Sequence, residues 1–373
     1  MRKGWEYKKL GDCTQILDSQ RKPVTKRDRK SGIYPYYGAT GIQDYVDKYI
    51  FDGRFVLVGE DGAKWSSFTQ SAFIIEGKTW VNNHAHVLRT NDFLVDTFLV
   101  YFLNYSDLDS YISGAIIRKL TQASLRNIEI PLPPKSTQLA IVSELDKINE
   151  LIRLKKEQLK DFDNLAQSLF YEMFGDPVEN EKGWEVKKLG DVCTDIKYGT
   201  SKPATENGRY TYLRMCNLTT DGFLDLSNTK QIDIPDDEIE KCIVRYGDIL
   251  FNRTNSIELV GKTCLFDKKD PMVIAGYIIR VRLNDTLLPV VLARMFNLAS
   301  IKKLFRSMAK GAVNQANINS KELASIRIPL PPLSLQHLFA QRIEQIEREK
   351  SEVQKSIQDL ETLLASRMQY WFE

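Results

Sequence analysis

The sequence of 373 residues predicts an α+β fold in which two mixed, mostly β domains occur in tandem, separated by two long helices that pair within the chain as a coiled coil. Three observations predict this fold. The phrase KGWEYKKLGD at 3–12 recurs at 182–191 with nine of its ten residues unchanged. A second phrase, IEIPLPPKSTQ at 128–138, recurs as IRIPLPPLSLQ at 326–336. Each copy of the second phrase leads into a long heptad pattern.

The repeat divides the chain into four segments. Trp5 and Trp184, in the two copies of the opening phrase, are expected to anchor the base of each β-rich domain. Apolar runs such as 54–60, 71–77 and 248–254 predict strands within these domains. The predicted boundaries are 1–134 for the first β-rich domain, 135–176 for the central helix, 177–332 for the second β-rich domain and 333–373 for the C-terminal helix.

The second phrase predicts a junction between a strand and a helix. Apolar residues alternate from Ile128 to Leu132, which favours a short strand. The prolines between 131 and 134 disfavour a central paired strand and impose an extended exit. Ser136 and Ser334 are then expected to be the N-caps of the two long helices.

The two helices carry apolar residues at alternating steps of four and three, the pattern of a coiled-coil seam. Lys155 and Lys350 interrupt the seams, either as devices that set register or orientation or as positions that face a partner. Between its end seam positions each helix spans roughly 50 Å, at 1.5 Å per residue. The seam residues are Ile141, Leu145, Ile148, Ile152, Lys155, Leu159, Phe162, Ala166, Leu169 and Met173 in the first helix, and Phe339, Ile343, Ile346, Lys350, Val353, Ile357, Leu360, Leu364, Arg367 and Trp371 in the second.

Composition limits the class of protein only broadly. The net charge is +3, and residues 1–134 and 176–332 each carry +3, which is compatible with nucleic-acid binding without requiring it. Five scattered cysteines fit reduced thiols better than a disulfide framework. Without a signal-like start or a long apolar run, the chain is expected to be cytoplasmic.

Two stretches could suggest catalysis, and neither carries a complete motif. SIELVGKTC at 256–264 is similar to a phosphate-binding loop, but Ser256 occupies the first glycine position and no helix is expected after Thr263. HAH at 84–86 supplies two imidazoles without a third ligand at zinc spacing. The sequence therefore predicts a non-catalytic chain without a metal site.

The tandem order of these motifs carries a family resemblance. A Trp-x-x-x-x-Leu-Gly-Asp opening, a PLPP junction and a heptad helix, each occurring twice, resemble the specificity (S) subunit of type I restriction–modification enzymes over essentially the whole chain. The resemblance implies two target recognition domains, each reading half of a bipartite site on double-stranded DNA in the major groove, held apart by an antiparallel coiled coil. Since the domain middles differ, the target is expected to be asymmetric.

The resemblance also implies partners. Two methyltransferase (M) subunits carrying S-adenosylmethionine would dock on the chain, and two restriction (R) subunits using ATP and Mg would join them. The assembled complex would be an adenine-specific DNA methyltransferase and a type I site-specific endonuclease. This chain itself would hold no cofactor, perform no chemistry and contact no membrane.

Candidate DNA contacts are the polar side chains that suit base edges and phosphates. They lie in 59–65, 82–86, 114–122, 198–203, 214–217, 251–256 and 310–317, of which FNRTNS at 251–256 is the strongest. The segment 20–30, dense in lysine and arginine, could grip phosphate or be a surface loop. The candidate residues are Lys64, Asn82, Asn83, His84, Arg118, Lys119, Gln122, Thr200, Lys202, Arg214, Asn217, Asn252, Arg253, Thr254, Asn255, Lys262, Lys310, Asn314 and Gln315.

Other classes of function remain open at this point. A related restriction architecture could borrow the same kind of chain, and neighbouring genes for M and R subunits would discriminate. A coiled-coil scaffold whose β-rich domains bind proteins predicts no dependence on DNA. A phosphate-loop or metal enzyme predicts turnover by the isolated chain that is lost on Lys262→Ala.

Overall fold

The computed structural model describes residues 4–114, 116, 118–312 and 315–373, and the chain divides into two compact units. The first unit contains the residues up to Glu157 together with Val353–Glu373, and the second unit contains Gln158–Glu352. Each unit holds one β-rich domain and a section of both long helices. In the part of the chain that the structure describes, no helix is both long and apolar enough to cross a membrane.

The β-rich domain of the first unit is built on one mixed sheet with the order β2-β7-β5-β6-β3-β4. Its pairs are antiparallel except β3 with β6. The strands are β1 Glu6–Lys9, β2 Thr14–Ile16, β3 Ser31–Gly38, β4 Gly41–Val46, β5 Phe51–Gly59, β6 Ala72–Val81, β7 Ala85–Thr90, β8 Ile112–Ser113, β9 Lys119–Leu120 and β10 Glu129–Leu132. The helices are α1 Leu10–Cys13, α2 Asp96–Tyr105, α3 Gln122–Arg126 and the long α4 Lys135–Phe174, which continues into the second unit.

The domain of the second unit contains sheets with the orders β12-β20-β16-β18, β14-β13-β19-β15 and β17-β22-β21. The strands are β11 Glu185–Lys188, β12 Cys193–Tyr198, β13 Tyr210–Leu213, β14 Lys230–Ile232, β15 Ile243–Val244, β16 Ile249–Asn252, β17 Thr254–Asn255, β18 Thr263–Leu265, β19 Met272–Ile274, β20 Ile278–Leu283, β21 Lys310–Ala312, β22 Gln315–Asn317 and β23 Arg327–Leu330. The helices are α5 Ile239–Cys242, α6 Pro289–Phe296, α7 Ala299–Met308, α8 Ser320–Ala324 and the long α9 Leu333–Phe372, which ends in the first unit.

The repeated phrases pair with each other at the base of each domain. Strand β1 runs antiparallel to β10, and β11 runs antiparallel to β23, so each opening phrase meets its own junction phrase. Each of these pairs forms a two-stranded sheet of its own, as the prolines predict. Trp5 packs against the core of the first unit, and the Trp184 indole donates to the Phe174 carbonyl at 2.9 Å.

The prediction that Ser136 and Ser334 cap the long helices is wrong. The helices begin one residue earlier, at Lys135 and Leu333. The carbonyls of Pro134 and Pro332 accept the first helical hydrogen bonds, because a proline lacks a donor but keeps its acceptor. Both serines therefore lie inside the first turn.

A buried glutamine fixes each junction instead. The side-chain amide of Gln138 donates to the carbonyls of Pro133 and Phe93, both at 2.9 Å, and its oxygen accepts from the Val95 amide just before α2. Gln336 makes the same three kinds of bond, to the Pro331 carbonyl, the Thr286 carbonyl and the Leu288 amide just before α6. Both side chains are fully buried. The repeated glutamine thus ties each long helix to the domain that precedes it.

The long helices pack side by side in opposite directions within each unit. In the first unit, Glu144 of α4 pairs with Arg367 of α9, and further along α4 Lys156 pairs with Glu361. In the second unit, Phe170 and Phe174 of α4 pack edge-on against Phe339 of α9. The predicted seam residues are all buried or half-buried. Two mostly β domains in tandem and an intramolecular antiparallel coiled coil are therefore confirmed.

Lys350 and the residue that follows helix α4 each have a specific structural role. Lys350 is buried, and its ammonium lies 2.5 Å from Asp163 of α4 and above the Phe223 ring. This contact between the helices favours the register alternative for Lys350. Helix α4 ends at Gly175, whose φ of +76° suits a glycine, and whose amide donates to the Tyr171 carbonyl.

Candidate nucleic-acid interface

In the first unit, three of the predicted segments meet at the end of strand β5. The Glu60 amide donates to the His84 carbonyl at 2.8 Å, and the Leu120 amide donates to the Glu60 carbonyl at 2.8 Å. Asp61 forms a β-bridge with Lys119. We call the described residues of 59–65, 82–86 and 118–122 the first candidate surface. Segments separated by more than twenty residues thus form one continuous patch.

A buried ionic cluster lies under the first candidate surface. The Arg21 guanidinium contacts Glu60 at 2.6 Å and Asp18 at 3.3 Å. The His86 ring bonds Asp18 through Nδ1 at 2.6 Å and the Leu120 carbonyl through Nε2 at 2.8 Å. Since both ring nitrogens face acceptors, a doubly protonated imidazolium satisfies this geometry. The cluster fixes the position of the segment that carries Arg118, Lys119 and Gln122.

Charge pairing keeps both carboxylates of the cluster ionised. Burial alone would raise the pKa of Asp18, but the hydrogen bond and charge of His86, the Val87 amide and the charge of Arg21 together hold it below its usual value. Burial opposes ionisation of Glu60 in the same way, and hydrogen bonds from Lys119 and Arg21 hold its pKa below its usual value. Both groups therefore stabilise the fold more at neutral than at acid pH.

This cluster is also the set of donors that comes nearest to a metal site. Ligand atoms of Asp18, Glu60 and His86 lie within 4.8 Å of one another in the described part of the chain. However, Arg21 and Lys119 already supply positive charge to these carboxylates. A metal ion would have to displace two cations, so the cluster is better explained as a structural ion-pair network.

The predicted contact residues of the first unit differ in their accessibility. Asn82 is buried and bonds Gln43 and the His84 amide, so it supports the turn between β6 and β7. Lys64, Asn83, His84, Arg118 and Gln122 are exposed, and Lys119 is half-buried. His84 contacts Asp61 at 2.5 Å, Arg118 contacts Asp109 at 2.7 Å, Lys119 contacts Glu60 at 2.6 Å and Gln122 contacts Asp18 at 3.2 Å.

An open cleft of about 430 Å³ lies beside these residues. It is lined by the loop 62–66 with Asp109, Ile116 and Arg118. Trp65 forms its floor, because its indole is buried and donates to the Gly59 carbonyl at 3.1 Å. The Arg118 guanidinium lies 6.0 Å from the centre of the Trp65 ring. The cleft therefore offers an exposed cation, Arg118, while Trp65 belongs to the core beneath it.

In the second unit, the predicted segments 251–256 and 310–317 meet in the small sheet β17-β22-β21. Thr254 pairs with Asn317, both through the strand register and through a hydroxyl bond of 2.8 Å. The Ile318 amide donates to the Arg253 carbonyl at 2.9 Å. Thr200 forms a β-bridge with Ala275, which brings 198–203 beside 276–277. We call the described residues of 198–203, 251–256, 276–277, 310–312 and 315–317 the second candidate surface.

Several predicted residues of the second unit are buried supports. Asn252 bonds the carbonyls of Thr254 and Tyr277, and Asn217 bonds the carbonyls of Asp225 and Asn228. Thr254 and Lys262 are also buried, whereas Thr200, Lys202, Arg214, Arg253 and Asn255 are half-buried. Lys310 and Gln315 are exposed, with Lys310 2.6 Å from Glu322. The predicted contact Asn314 lies outside the described residues.

Lys262 has a structural position. Its ammonium donates to the carbonyls of Met215 and Leu218 at 2.8 and 2.5 Å, and burial lowers its pKa. Thr263, where a phosphate-binding loop would start its helix, begins strand β18 instead. The sequence-based rejection of a phosphate-binding loop is confirmed.

The two candidate surfaces are built on the same backbone. Strand β5 pairs Val58 with His86, and β16 pairs Phe251 with Ile279, so Glu60 and Arg253 hold equivalent places just after these strands. The Arg253 amide donates to the Tyr277 carbonyl, as the Glu60 amide donates to that of His84. The neighbouring strands β2 and β12 make Asp18 equivalent to Tyr198. Glu60 and Arg253 thus share their backbone bonds, whereas Asp18 begins a 3-10 turn and Tyr198 ends strand β12.

This shared backbone agrees with the comparisons made with known proteins. A family model described as the type I restriction modification DNA specificity domain matches twice, at residues 2–161 and 181–362. The chain belongs to this family. It is therefore a specificity subunit of a type I restriction–modification system, with domains that recognise DNA sequence. Specificity subunits are non-catalytic, in agreement with the expectation from the sequence.

Two relatives show the extent of the similarity. The chain is 29% identical over 351 residues to the putative type I restriction enzyme specificity subunit S.HindORF215P of Haemophilus influenzae, covering 92% of this chain and 87% of that protein. It is 24% identical over 291 residues to the type I restriction enzyme EcoKI specificity subunit of Escherichia coli, covering 73% of this chain and 62% of that protein.

Solved structures share the fold. One described as the structural basis of complex assembly and conformational transition of the type I R-M system aligns with a TM-score of 0.62 and 19% identity, covering 100% of this chain and 98% of that one. The type I restriction–modification S subunit from M. genitalium aligns with a TM-score of 0.54 and 14% identity, covering 98% and 95%.

Sequence reasoning missed Asp18 and Tyr277, and it included Glu60 and Arg21 in candidate segments without predicting the ion pair between them. Asp18 and His86 are far apart in sequence and belong to no motif. The repeat itself could have identified Tyr277, because an alignment of β5 with β16 and of β7 with β20 makes Tyr277 the equivalent of His84. A strand-by-strand alignment of the two halves would have identified the pair.

Proposed function

We propose that this chain directs a type I restriction–modification complex to a bipartite and asymmetric target on double-stranded DNA. Each β-rich domain reads one half-site in the major groove through its candidate surface. The observation that supports this is the repeated backbone with unlike side chains at equivalent positions, Glu60 against Arg253 and His84 against Tyr277. Base edges are distinguished by side-chain donors and acceptors, so unlike side chains on like frameworks select unlike half-sites.

The coiled coil is the spacer in this proposal. A helix of 40 residues such as α4 or α9 is roughly 60 Å long, which exceeds one turn of DNA at about 34–36 Å. A rigid element of that length suits two half-sites separated by an unread gap. Gln138 and Gln336, buried at the base of each domain, would hold the β-rich domains rigidly on the coiled coil.

The long helices are also proposed to carry the partner subunits. Leu139, Leu151, Leu154 and Leu165 of α4 are about half exposed, as are Leu363 and Tyr370 of α9. Exposed apolar side chains on a charged helix mark protein contacts. We propose that two M subunits with S-adenosylmethionine dock there, that two R subunits using ATP and Mg join them, and that the chain itself holds no cofactor. The complex would methylate adenine.

Mapping of methylated bases tests the proposal. The neighbouring M gene is expressed in a methylation-free host with this chain, without it, or with a chain in which Lys119 and Gln122 are both alanine. The expected result is a split motif that requires the chain and that relaxes in one half only in the double variant. If M forms a complex with the chain and no split motif is found, the DNA-reading role is wrong.

A further inference from the structure

Arg253 occupies the position of the second candidate surface that is best fixed by the backbone. It directly follows the central strand β16, and its amide and carbonyl are both bonded, to the Tyr277 carbonyl and the Ile318 amide, each at 2.9 Å. The strands on both sides therefore hold its Cα in place. A reading side chain needs such a rigid origin, because misplacement of its donors removes discrimination between bases.

The side chain of Arg253 is oriented but has few hydrogen bonds. Its guanidinium lies over the Tyr198 ring, 4.7 Å from the centroid, and Nη1 makes one long bond of 3.4 Å to the Gly276 carbonyl. Nη2 has no hydrogen-bond partner among the described residues, whereas the unpartnered Nε is buried and out of reach of a ligand. By contrast, the nearby Arg282 is held by two bonds to Asp248. Arg253 therefore retains donors for a ligand.

The chemistry of these free donors selects a base. A guanidinium presents a planar fork of N–H groups, which matches the O6 and N7 acceptors of guanine in the major groove. Stacking on the Tyr198 ring fixes the plane of the fork before binding. An ammonium has the same charge without the planar fork, so lysine cannot replace arginine at such a contact.

The equivalent position in the first domain cannot read guanine. Glu60 occupies it, and its carboxylate is bound by Arg21 and Lys119 below the surface. An acid offers acceptors only, whereas guanine presents acceptors in the major groove. The position is thus used for a ligand in one domain and for internal structure in the other.

We propose that Arg253, oriented by Tyr198, reads a guanine in the half-site of the second domain, and that Tyr198 is a positioning residue. This inference rests on the proposed DNA-reading role. Removal of the bidentate contact should reduce the preference for that guanine by roughly 5- to 150-fold and leave the other positions of the motif unchanged.

Methylated-base mapping with the M subunit tests it on the full chain. The variants are Arg253→Lys, Tyr198→Ala, Tyr198→Phe and, as a matched control, Arg245→Lys, a half-buried arginine paired with Glu240 beyond the other end of β16. Arg253→Lys should relax one guanine in one half-site. Tyr198→Ala should relax the same guanine, whereas Tyr198→Phe, which keeps the ring, and Arg245→Lys should preserve the wild-type motif.

Four outcomes would overturn the inference. A wild-type motif with Arg253→Lys would remove Arg253 as a reader while the DNA-reading role stands. A split motif absent even with the wild-type chain would remove both. If Arg253→Lys methylates nothing, the purified complex is titrated with duplexes that vary one base at a time. Uniformly weak binding at an unchanged melting temperature would then mean a phosphate contact, and a lowered melting temperature a structural role.

Discussion

The base and the reading end of each domain differ in what the repeat preserves. At the base, the two halves of the chain share the paired strands and the buried glutamine of the strand–helix junction. At the candidate surfaces, the two domains share backbone hydrogen bonds but differ in their side chains. The first domain has an ionic cluster where the second has the Arg253 guanidinium stacked on the Tyr198 ring. The shared contacts therefore stabilise both domains in the same way, and the side chains that differ are the ones available for recognition.

The largest difference between the two surfaces should appear when an arginine is removed from each. Arg21→Ala leaves Asp18 and Glu60 buried with less compensation, and such a change costs about 3–5 kcal/mol of unfolding free energy. Arg253→Ala removes a stacking contact and one long hydrogen bond, about 0.5–1 kcal/mol. Urea unfolding of both variants measures the difference. Equal decreases would mean that the ionic cluster is not a structural element.

The two strand–helix junctions, in contrast, should lose similar amounts of stability when their glutamine is removed. Gln138→Ala and Gln336→Ala each leave an amide and two carbonyls of the junction without their buried partner, at an expected cost of about 2–3 kcal/mol per variant. Gln345→Ala, at an exposed position of α9, is the matched control and should change stability little. Thermal unfolding of the three variants checks this. A large loss of stability at one junction only would mean that the two junctions are not equivalent.

Acid should weaken the ionic cluster under the first surface. The pKa values of Asp18 and Glu60 lie below their usual values in the folded chain, so their stabilisation is present above the unfolded pKa, near 4, and is lost as pH falls through the folded pKa. Asp18→Asn removes part of this contribution. The stability difference between wild type and Asp18→Asn should therefore shrink from pH 7 to pH 3, measured by urea unfolding.

An exposed carboxylate of the same domain gives the control for that experiment. Asp52→Asn should change the unfolding free energy little at pH 7. If the Asp18→Asn difference is independent of pH, Asp18 does not gain its stabilisation from ionic pairing.

The sequence predicts what is periodic or repeated and misses what depends on distant partners. The heptads place the seam from Ile141 to Trp371 because burial follows the helical period. Residues 289–308 form two helices, α6 and α7, and the Asn297 side chain between them bonds the Ala293 and Thr263 carbonyls. Lys262 looked like a DNA-contacting residue because its partners, Met215 and Leu218, are more than forty residues away.

The candidate surfaces follow the same rule. The sequence named polar segments at strand ends without predicting which of them meet, and the fold brings several of them together because strands of one sheet end together. The cluster of Asp18, Arg21, Glu60 and His86 was not predicted, because charged residues in sequence look solvated until the fold buries them.

The smallest expected effect concerns the basic segment 20–30, which has no counterpart of similar charge after β12. Arg29 is not a free cation, because it pairs with Asp44 and stacks on Tyr36 at 4.1 Å. Lys26, Arg27 and Lys30 are exposed. Changing these three to glutamine should weaken binding of the complex to all DNA sequences alike and lower the salt slope by about 0.9 for each phosphate that the variant no longer neutralises.

Titration of cognate and scrambled duplexes at several salt concentrations measures both quantities, and Arg29→Gln serves as the comparison that tests folding. A uniform decrease in affinity would mean that the segment binds DNA phosphates beside the first domain only and does not read bases. The two domains would then differ in affinity as well as in specificity. If the triple variant instead changes the recognised motif, the segment reads bases, and the first candidate surface extends beyond the strand ends to include it.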